Sequence, residues 1–194
     1  MRDDYTLDAE LYDIVYADYD DDLAFYVEEA QAADGPCLEL GCGTGRILIP
    51  AACLVGSEMC IRDRTNLPPD VRERITLVRG DMRSVKLDQQ FALAYIPFRA
   101  FLHLLTVDDQ VTALENIHRL LRSSGRLVLN FFDPSLESIV AHSGPLGGAL
   151  NLTGETFFDP RTNHLLVEYA TVHYTQHLQR LDQYFVYDEL DRNG

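Results

Sequence analysis

Three glycines spaced two residues apart follow a short apolar run near residue 40. They are Gly41, Gly43 and Gly45, and the run before them, 36–40, contains a single acid, Glu39. Glycine tolerates positive φ and lets a ligand approach the backbone, while the free amides at a helix start favour anionic groups. The pattern therefore predicts a strand, a glycine-rich turn and a helix that together bind a cofactor.

The position of the third glycine separates two classes of cofactor. A dinucleotide-binding turn has the spacing G-x-G-x-x-G, and its third glycine would fall at position 46, where this chain has Arg46. Because Glu39 lies two residues before the first glycine, the spacing here is E-x-G-x-G-x-G. A nicotinamide cofactor is therefore disfavoured, and a nicotinamide-dependent oxidoreductase is kept only as an alternative.

The elements around this loop alternate between strands and helices. Apolar runs predict strands at 37–40, 75–78, 91–96 and 126–132. Such alternation predicts an α/β fold with a doubly wound, mostly parallel, Rossmann-like sheet that carries helices on both faces.

Helix boundaries are marked by capping residues. Asp20 or Asp21 is expected to cap a helix that runs to Ala33, and a further helix is expected from about residue 47. Thr106 with an acid three residues later resembles a capping box, and Ser124-Gly125 is expected to end that helix. Its predicted apolar face consists of Val111, Leu114, Ile117, Leu120 and Leu121.

Beyond residue 145 the pattern becomes rich in β-strand formers. Runs at 165–174 and 181–187, preceded by a turn at 159–163, predict an antiparallel β excursion. We expect a single domain in three parts: an N-terminal helical cap over 1–35, a cofactor-binding core over 36–145 and a β-rich, substrate-side excursion over 146–194.

Composition argues against several kinds of partner. A formal charge of −15 disfavours nucleic acid, because neutralising phosphates needs clustered Lys and Arg. The chain has no apolar run long enough to span a bilayer and no signal-peptide pattern at its start, so we predict a cytoplasmic protein with no membrane partner. The four cysteines form no C-x-x-C pair, which fits reduced thiols. The sequence does not predict an oligomeric state.

The E-x-G-x-G-x-G pattern and the sequence Gly80-Asp81-Met82 resemble the class I S-adenosylmethionine-dependent methyltransferases, of the small-molecule type. The resemblance covers the chain from about Tyr12 to its end and implies S-adenosyl-L-methionine as cofactor. In that family the glycine loop lies against the amino-acid part of the cofactor, and the acid matched by Glu39 helps to hold the cofactor's ammonium group.

The resemblance also implies roles for residues outside the loop. Asp81 matches the acid that accepts a hydrogen bond from the adenine amino group, with a turn residue or helix cap as the alternative, and Met82 matches the residue that packs on the ring. The remaining cofactor-binding candidates are Tyr16, Cys42, Ile96 and Pro97. Tyr16 is expected to close over the cofactor together with Tyr12, and plain packing is the other interpretation.

Two residues after the third predicted strand are candidates for contact with the methyl acceptor. Arg99 either anchors an anionic acceptor or is a solvated surface residue. His103 is either a general base or, because its neighbours are apolar, a core histidine. His173 and His177 have the spacing of helical metal ligands, but a strand would separate their side chains, so no metal site is predicted.

Two regions depart from the family pattern. The family's second strand ends in an acid that binds the ribose hydroxyls; Asp63 has the right distance but follows Arg62, and Glu58 comes too early. Little room for a helix is left before Pro68-Pro69, so we expect 54–64 to be foreign to the fold and to form a loop or a poorly matched strand. We also expect the family's closing helix and last two strands to be missing after residue 194.

The sequence thus predicts S-adenosylmethionine-dependent transfer of a methyl group to a nitrogen, oxygen or carbon nucleophile of a small-molecule acceptor. A non-catalytic or damaged methyltransferase-like domain is the alternative from another class. The sequence identifies neither the acceptor nor the atom that is methylated.

Overall fold

The computed structural model describes residues 5–54, 57–58, 69–143 and 148–191. The helices are α1 Tyr5–Val15, α2 Leu23–Ala32, α3 Leu48–Leu54, α4 Pro69–Glu73, α5 Val107–Leu120 and α6 Leu136–His142. The strands are β1 Cys37–Glu39, β2 Ser57–Glu58, β3 Phe91–Ile96, β4 Leu121–Leu129, β5 Asn151–Asp159, β6 His164–Thr175 and β7 Arg180–Leu190. The chain divides into two compact units, one of Tyr19–Phe132 and one of Met1–Asp18 with Asp133–Gly194.

The unit Tyr19–Phe132 contains a parallel sheet with the strand order β2-β1-β3-β4. Leu38 of β1 pairs with Ala94 of β3, and Glu39 pairs with Tyr95. All six residues of β3 are buried, as expected for a parallel strand covered on both faces. The strand predicted at 91–96 and the doubly wound α/β fold class are confirmed.

Apolar side chains pack on both faces of this sheet. On one face, Tyr26 of α2 and Ala51 of α3 contact Leu93 and Tyr95. On the other, Ile117 of α5 packs in one cluster with Leu38 of β1 and with Phe91, Ala94 and Ile96 of β3. Because side chains alternate along a strand, successive residues of β1 and β3 supply both cores.

The capping box at the start of α5 is confirmed, but its predicted apolar face is partly wrong. The Thr106 hydroxyl oxygen accepts a hydrogen bond from the Asp109 amide nitrogen at 3.1 Å, and the hydroxyl donates to the Asp109 carboxylate at 2.8 Å. Val111 and Leu114 are exposed, and the buried face consists of Ala113, Asn116, Ile117 and Leu120. Compared with the predicted face, the buried face of α5 is therefore shifted around the helix, and it places the polar Asn116 in the core.

The residues Ser124-Gly125 do not end α5, which stops at Leu120. They lie inside β4, where the pairing register with β3 shifts and Ser124 has a φ of 67°. A Cβ on Gly125 would lie 2.9 Å from the Phe91 carbonyl oxygen, so glycine permits the close approach of the two strands. The predicted strand at 126–132 accordingly begins and ends earlier, as Leu121–Leu129.

The strand predicted at 75–78 is wrong. Ile75 is buried and Leu77 packs against the core, but 75–78 are not a strand in the part of the chain that the structure describes. This apolar run is thus buried at Ile75 without forming a strand. Pro69, which was expected to interrupt a helix, instead begins the five-residue α4, a position where proline is tolerated.

Much of the segment 54–64, which departs from the family pattern, lies outside the described residues. Its described part includes β2, in which Ser57 pairs with Cys37 and Glu58 with Leu38 in parallel register. Asp63 and Arg62 belong to the stretch 59–68, which the structure does not describe.

The second unit contains the antiparallel sheet β5-β6-β7 with the helices α1 and α6. β6 pairs with β5 on one side and along its whole length with β7 on the other. The turn between β5 and β6 is closed by a hydrogen bond from the Asn163 amide to the Asp159 carbonyl oxygen at 2.9 Å. The predicted antiparallel excursion is thereby confirmed.

Candidate cofactor site

The glycine loop lies at the carboxyl end of β1 and takes a conformation that needs its glycines. Gly41, Gly43 and Gly45 have φ values of 76°, 56° and 97°, in the left-handed region that favours glycine. A Cβ on Gly41 would lie 2.8 Å from the Ala100 Cβ, whereas a Cβ on Gly43 would meet no atom within 4 Å. The predicted strand, turn and helix are confirmed, and the backbone at Gly43 borders open space.

Further contacts hold the two ends of this loop. The Leu40 amide donates to the Tyr95 carbonyl oxygen at 2.9 Å, and the Gly45 amide donates to the Cys42 carbonyl oxygen at 3.0 Å. Cys42 is buried, with its thiol sulfur 3.6 Å from the Gly43 carbonyl oxygen. The loop is therefore tied to β3 at the edge of a parallel sheet where ligands of open α/β folds bind.

Glu39 is fully buried directly below the loop. Neither of its carboxylate oxygens accepts a hydrogen bond from the residues that the structure describes. Burial raises the pKa of Glu39 to about 8, and the Arg46 guanidinium, which favours the ionised form, does not cancel this effect. A cation that approaches this acid favours its ionised, carboxylate form.

Arg46 occupies the place where a dinucleotide-binding turn would have glycine. Its guanidinium forms two hydrogen bonds to the Asp22 carboxylate, at 2.5 and 2.9 Å. It also lies over the aromatic rings of Tyr19 and Phe98, 4.9 and 5.0 Å from their centroids. The side chain thus joins the glycine loop to the residues before α2 and to those after β3, an arrangement that the sequence did not predict.

Asp81 follows the Ile75–Gly80 segment and is tightly bound by Arg83. The Arg83 side chain contacts both Asp81 carboxylate oxygens, with Nε and Nη2 at 3.0 and 2.5 Å, and its backbone amide adds a hydrogen bond of 2.9 Å. These bonds lower the pKa of Asp81 to about 2, so the carboxylate is ionised at neutral pH. The turn-residue interpretation of Asp81 therefore has support, and its predicted role toward adenine stays a prediction.

A cavity of about 140 Å³ lies between the glycine loop and the segment that carries Asp81. The glycine loop contributes Gly41 to its wall, and the segment around Asp81 contributes Gly80 and Met82. The other lining residues are mostly apolar, which is typical of a pocket that takes a ring system. The structure thus brings together two of the predicted cofactor contacts, Gly41 and Met82.

Asn116 of α5 holds the segment that carries Met82. Its buried side-chain amide donates to the carbonyl oxygens of Met82 and Val85, at 3.1 and 3.0 Å. The sequence contained a signal for this role, because Asn116 lies one helical turn from Ala113 and Leu120 on the buried face. The interpretation of that face as wholly apolar missed it.

The residues after β3 occupy the same edge of the sheet. Ile96 and Pro97 are buried, as expected for residues at the end of a core strand. Phe98 and Arg99 have φ values of 51° and 62°, and the Arg99 amide donates to the Asn130 side-chain oxygen at 2.8 Å. Non-glycine residues in this region are strained, and such strain is common at functional sites.

The two acceptor-side candidates are both exposed. The Arg99 guanidinium lies over the rings of Phe98 and Phe132, 5.3 and 5.9 Å from their centroids. His103 ends a short 3₁₀ helix, Ala100–His103, and its exposure shows that the core-histidine interpretation is wrong. Leu102 and Leu104 are only partly buried, so apolar neighbours in sequence did not mean burial in the fold.

Tyr16 belongs to the other unit, just after α1, and its ring centroid lies 4.7 Å from that of Tyr12. Its predicted contact with the cofactor stays a prediction. His173 lies in β6 and His177 in a 3₁₀ helix, Gln176–Leu178. Over the described ranges, no three His, Cys, Asp or Glu side chains cluster so as to hold a metal ion. No helix of those ranges has the length and apolar character needed to cross a bilayer.

Residues 37–125 match the family model described as a methyltransferase domain. This match includes β1, the glycine loop, Asp81 and all of β3. No curated protein matches the chain.

Solved structures share the fold. The chain is similar to CalS10, an amino pentose methyltransferase from Micromonospora echinaspora solved with S-adenosylmethionine bound, at 20% identity, over 93% of this chain and 81% of that one, with a TM-score of 0.63. It is similar to the sugar N-methyltransferase KedS8 from Streptoalloteichus at 15% identity, over 92% of this chain and 77% of that one, with a TM-score of 0.60. It is also similar to the CcbJ methyltransferase from Streptomyces caelestis at 20% identity, over 91% of this chain and 78% of that one, with a TM-score of 0.59.

Residues 37–125 thus match a methyltransferase domain, and the solved structures share a Rossmann-like fold with the chain. The predicted resemblance to methyltransferases is thereby confirmed over residues 37–125, and S-adenosylmethionine stays the predicted cofactor.

The site contains groups that fit this cofactor. Glu39 offers a buried carboxylate without a hydrogen bond from the described residues, which suits the cofactor's ammonium group. The open space beside Gly43 is space that any side chain at that position would fill. The apolar cavity beside Met82 suits a heteroaromatic ring.

Proposed function

We propose that this chain transfers a methyl group from S-adenosylmethionine to an uncharged nucleophile on a small molecule. The observation that carries the proposal is the glycine loop, in which Gly43 borders open space and which directly follows the strand that carries the buried Glu39. A buried acid with no hydrogen-bond donor is costly unless a ligand cation compensates it.

In the proposed complex the chain's own residues bind and orient the cofactor. Glu39 holds the ammonium group, because a cation restores the ionised form that burial disfavours. The backbone from Gly41 to Gly45 approaches the cofactor without interference from side chains. Asp81 accepts from the adenine amino group and Met82 packs on the ring, with Asn116 fixing the backbone that carries them.

The bound cofactor supplies an electrophilic methyl group on a sulfonium. The protein therefore needs to align a nucleophile and to exclude water rather than to provide a strong base. Arg99 and His103 are the proposed acceptor contacts, since both are exposed near the end of β3. Arg99 would attract an anionic group on the acceptor, and His103 would accept the proton that a nucleophile loses.

The activities of two of these similar proteins suggest which acceptors to test first. CalS10 is an amino pentose methyltransferase and KedS8 a sugar N-methyltransferase. Primary and secondary amines on sugars therefore form the first panel, with hydroxyl-bearing sugars as the comparison. We also propose that the protein is cytoplasmic, which fits its acidic composition and the absence of a membrane-spanning helix from the described ranges.

Calorimetric titration with S-adenosylhomocysteine tests the cofactor site. Gly43→Ala is the informative variant, because its methyl group meets no protein atom and would obstruct only a ligand. Gly154→Ala is the matched control, since Gly154 also has positive φ, at 90°, and open space at its Cβ but lies in β5. Both substitutions should lower stability by about 1 kcal/mol through backbone strain.

We expect Gly43→Ala to weaken binding roughly tenfold or more, a loss of about 1.4 kcal/mol or more, and Gly154→Ala to leave it unchanged. Equal affinities in the two variants would refute the assignment of the loop. Binding of NAD in place of S-adenosylhomocysteine would favour the oxidoreductase alternative. Cofactor binding without methyl transfer to any acceptor would favour the non-catalytic alternative.

A further inference from the structure

Arg99 lies in a strained turn that follows β3. Phe98 and Arg99 have φ values of 51° and 62°, which residues with a side chain rarely adopt. The Arg99 amide donates a hydrogen bond of 2.8 Å to the side-chain oxygen of Asn130, the first residue after β4. Backbone strain of this kind persists only where the surroundings hold it, so the Arg99 side chain extends from a fixed backbone.

The same turn packs on the glycine loop. A Cβ on Gly41 would lie 2.8 Å from the Ala100 Cβ, and the Phe98 ring centroid lies 5.0 Å from the guanidinium carbon of Arg46. Because the loop and the turn follow neighbouring parallel strands, they meet at the carboxyl edge of the sheet, where open α/β folds bind their ligands. Arg99 therefore lies next to the loop that we assign to the cofactor.

The Arg99 guanidinium is held by aromatic rings and keeps its hydrogen-bond donors. It lies over Phe98 and Phe132, 5.3 and 5.9 Å from the ring centroids, and the residue is exposed. Ring contacts of this kind use the charge of the guanidinium and none of its N–H groups. In the part of the chain that the structure describes, no acid forms an ion pair with Arg99, although the chain has 31 acids against 16 lysines and arginines. The side chain thus offers its donors to an oxyanion from solution.

Charge balance selects the kind of oxyanion that suits this turn. A guanidinium is a planar fork that matches a carboxylate with two parallel hydrogen bonds, and it compensates one negative charge. A phosphate ester carries a charge of about −1.5 to −2 at neutral pH. Its second charge would be left beside two aromatic rings, in the field of a chain with a formal charge of −15. The turn therefore favours a single carboxylate over a phosphate.

We propose that the methyl acceptor is a monoanion whose carboxylate binds Arg99 and whose apolar body contacts Phe98 and Phe132. The inference rests on the proposed function and narrows it, because it names the charge and the chemical class of the acceptor. The carboxylate anchors the acceptor beside the glycine loop, and the nucleophile belongs to another part of the same molecule. Arg99 then determines specificity for the acceptor and takes no part in binding the cofactor.

The test uses fluorine NMR of three small probes, with the chain saturated by S-adenosylhomocysteine. The probes are fluorobenzoate, its neutral isostere fluorobenzamide, and fluorophenyl phosphate, and the measured quantities are their dissociation constants. Arg99→Gln removes the charge and the fork. Arg79→Gln is the matched control, because Arg79 is also exposed and carries the same charge but lies in the segment before Asp81. Arg99→Gly removes the side chain at a φ that glycine tolerates, and it carries the test if the glutamine variant fails to fold.

We expect the unsubstituted chain to bind fluorobenzoate about tenfold more tightly than fluorobenzamide, and more tightly than fluorophenyl phosphate. Both Arg99 variants should bring the ratio of benzoate to benzamide affinity close to one and leave the affinity for S-adenosylhomocysteine unchanged, and Arg79→Gln should change neither. Absent or equal binding of benzoate and benzamide, an equal loss in Arg79→Gln, or tighter binding of the phosphate would each overturn the inference and leave the proposed function intact. If S-adenosylhomocysteine itself does not bind, the proposed function fails, and the inference fails with it.

Discussion

Without ligand, the Glu39→Gln variant should be more stable than the unsubstituted chain, and this difference should grow as pH rises toward neutrality. Burial raises the pKa of Glu39 from 4.5 to about 8, so the folded chain keeps a proton that the unfolded chain releases. An acid whose pKa is raised on folding destabilises the folded state progressively between those two values, by about 1.4 kcal/mol per pH unit. Glutamine has a similar shape and does not titrate, so it removes this dependence.

The expected size of this stability difference follows from the width of the pH interval. Between pH 5 and pH 7 the unsubstituted chain should lose about 3 kcal/mol relative to Glu39→Gln. Urea unfolding at half-unit steps of pH measures the difference, and Glu28→Gln, at an exposed position of α2, controls for the loss of one negative charge. The slope is the test, because the buried amide of glutamine adds an offset that does not change with pH.

Ligand binding gives the second part of this prediction. A cation bound beside Glu39 should restore its ionised form and release a proton, so affinity for S-adenosylhomocysteine should rise with pH, by at most about tenfold per unit, up to about pH 8. Glu39→Gln should bind more weakly and without this rise. A stability difference that stays constant with pH, or that shrinks as pH rises, would refute the reasoning about Glu39.

Three further outcomes are expected from the geometry of the site. Asp81→Ala should weaken S-adenosylhomocysteine binding by about 1–3 kcal/mol, measured by calorimetry, and the loss should largely vanish for the analogue without the amino group. Asn116→Ala should lower the free energy of unfolding by about 2–4 kcal/mol, since the partly buried carbonyl oxygens of Met82 and Val85 lose their donor; a loss below about 0.5 kcal/mol in urea titrations would contradict this. Replacing 53–64 with a longer strand–helix segment whose strand ends in an acid should strengthen cofactor binding, and unchanged affinity in the repaired chain would count against the view that this segment is foreign.

Local patterns in the sequence determined several features of this protein. The glycine loop, the buried strand 91–96 and the capping box at Thr106 all agree with the structure. Each depends on interactions within a few residues, such as a positive φ that glycine tolerates or a hydroxyl that caps its own helix. Their residue types and spacing are therefore enough to predict them.

Tertiary structure decided the features that depend on residues far apart in the chain. The apolar run at 75–78 is not a strand among the described residues, because apolar side chains such as Ile75 and Leu77 can pack against the core in irregular backbone as well. The exposure of His103 depends on what packs above it, which its apolar sequence neighbours do not reveal. The same holds for Glu39: its sequence position predicted a ligand contact, but only the packing of α2 and α3 around β1 removes water from its carboxylate and so raises its pKa.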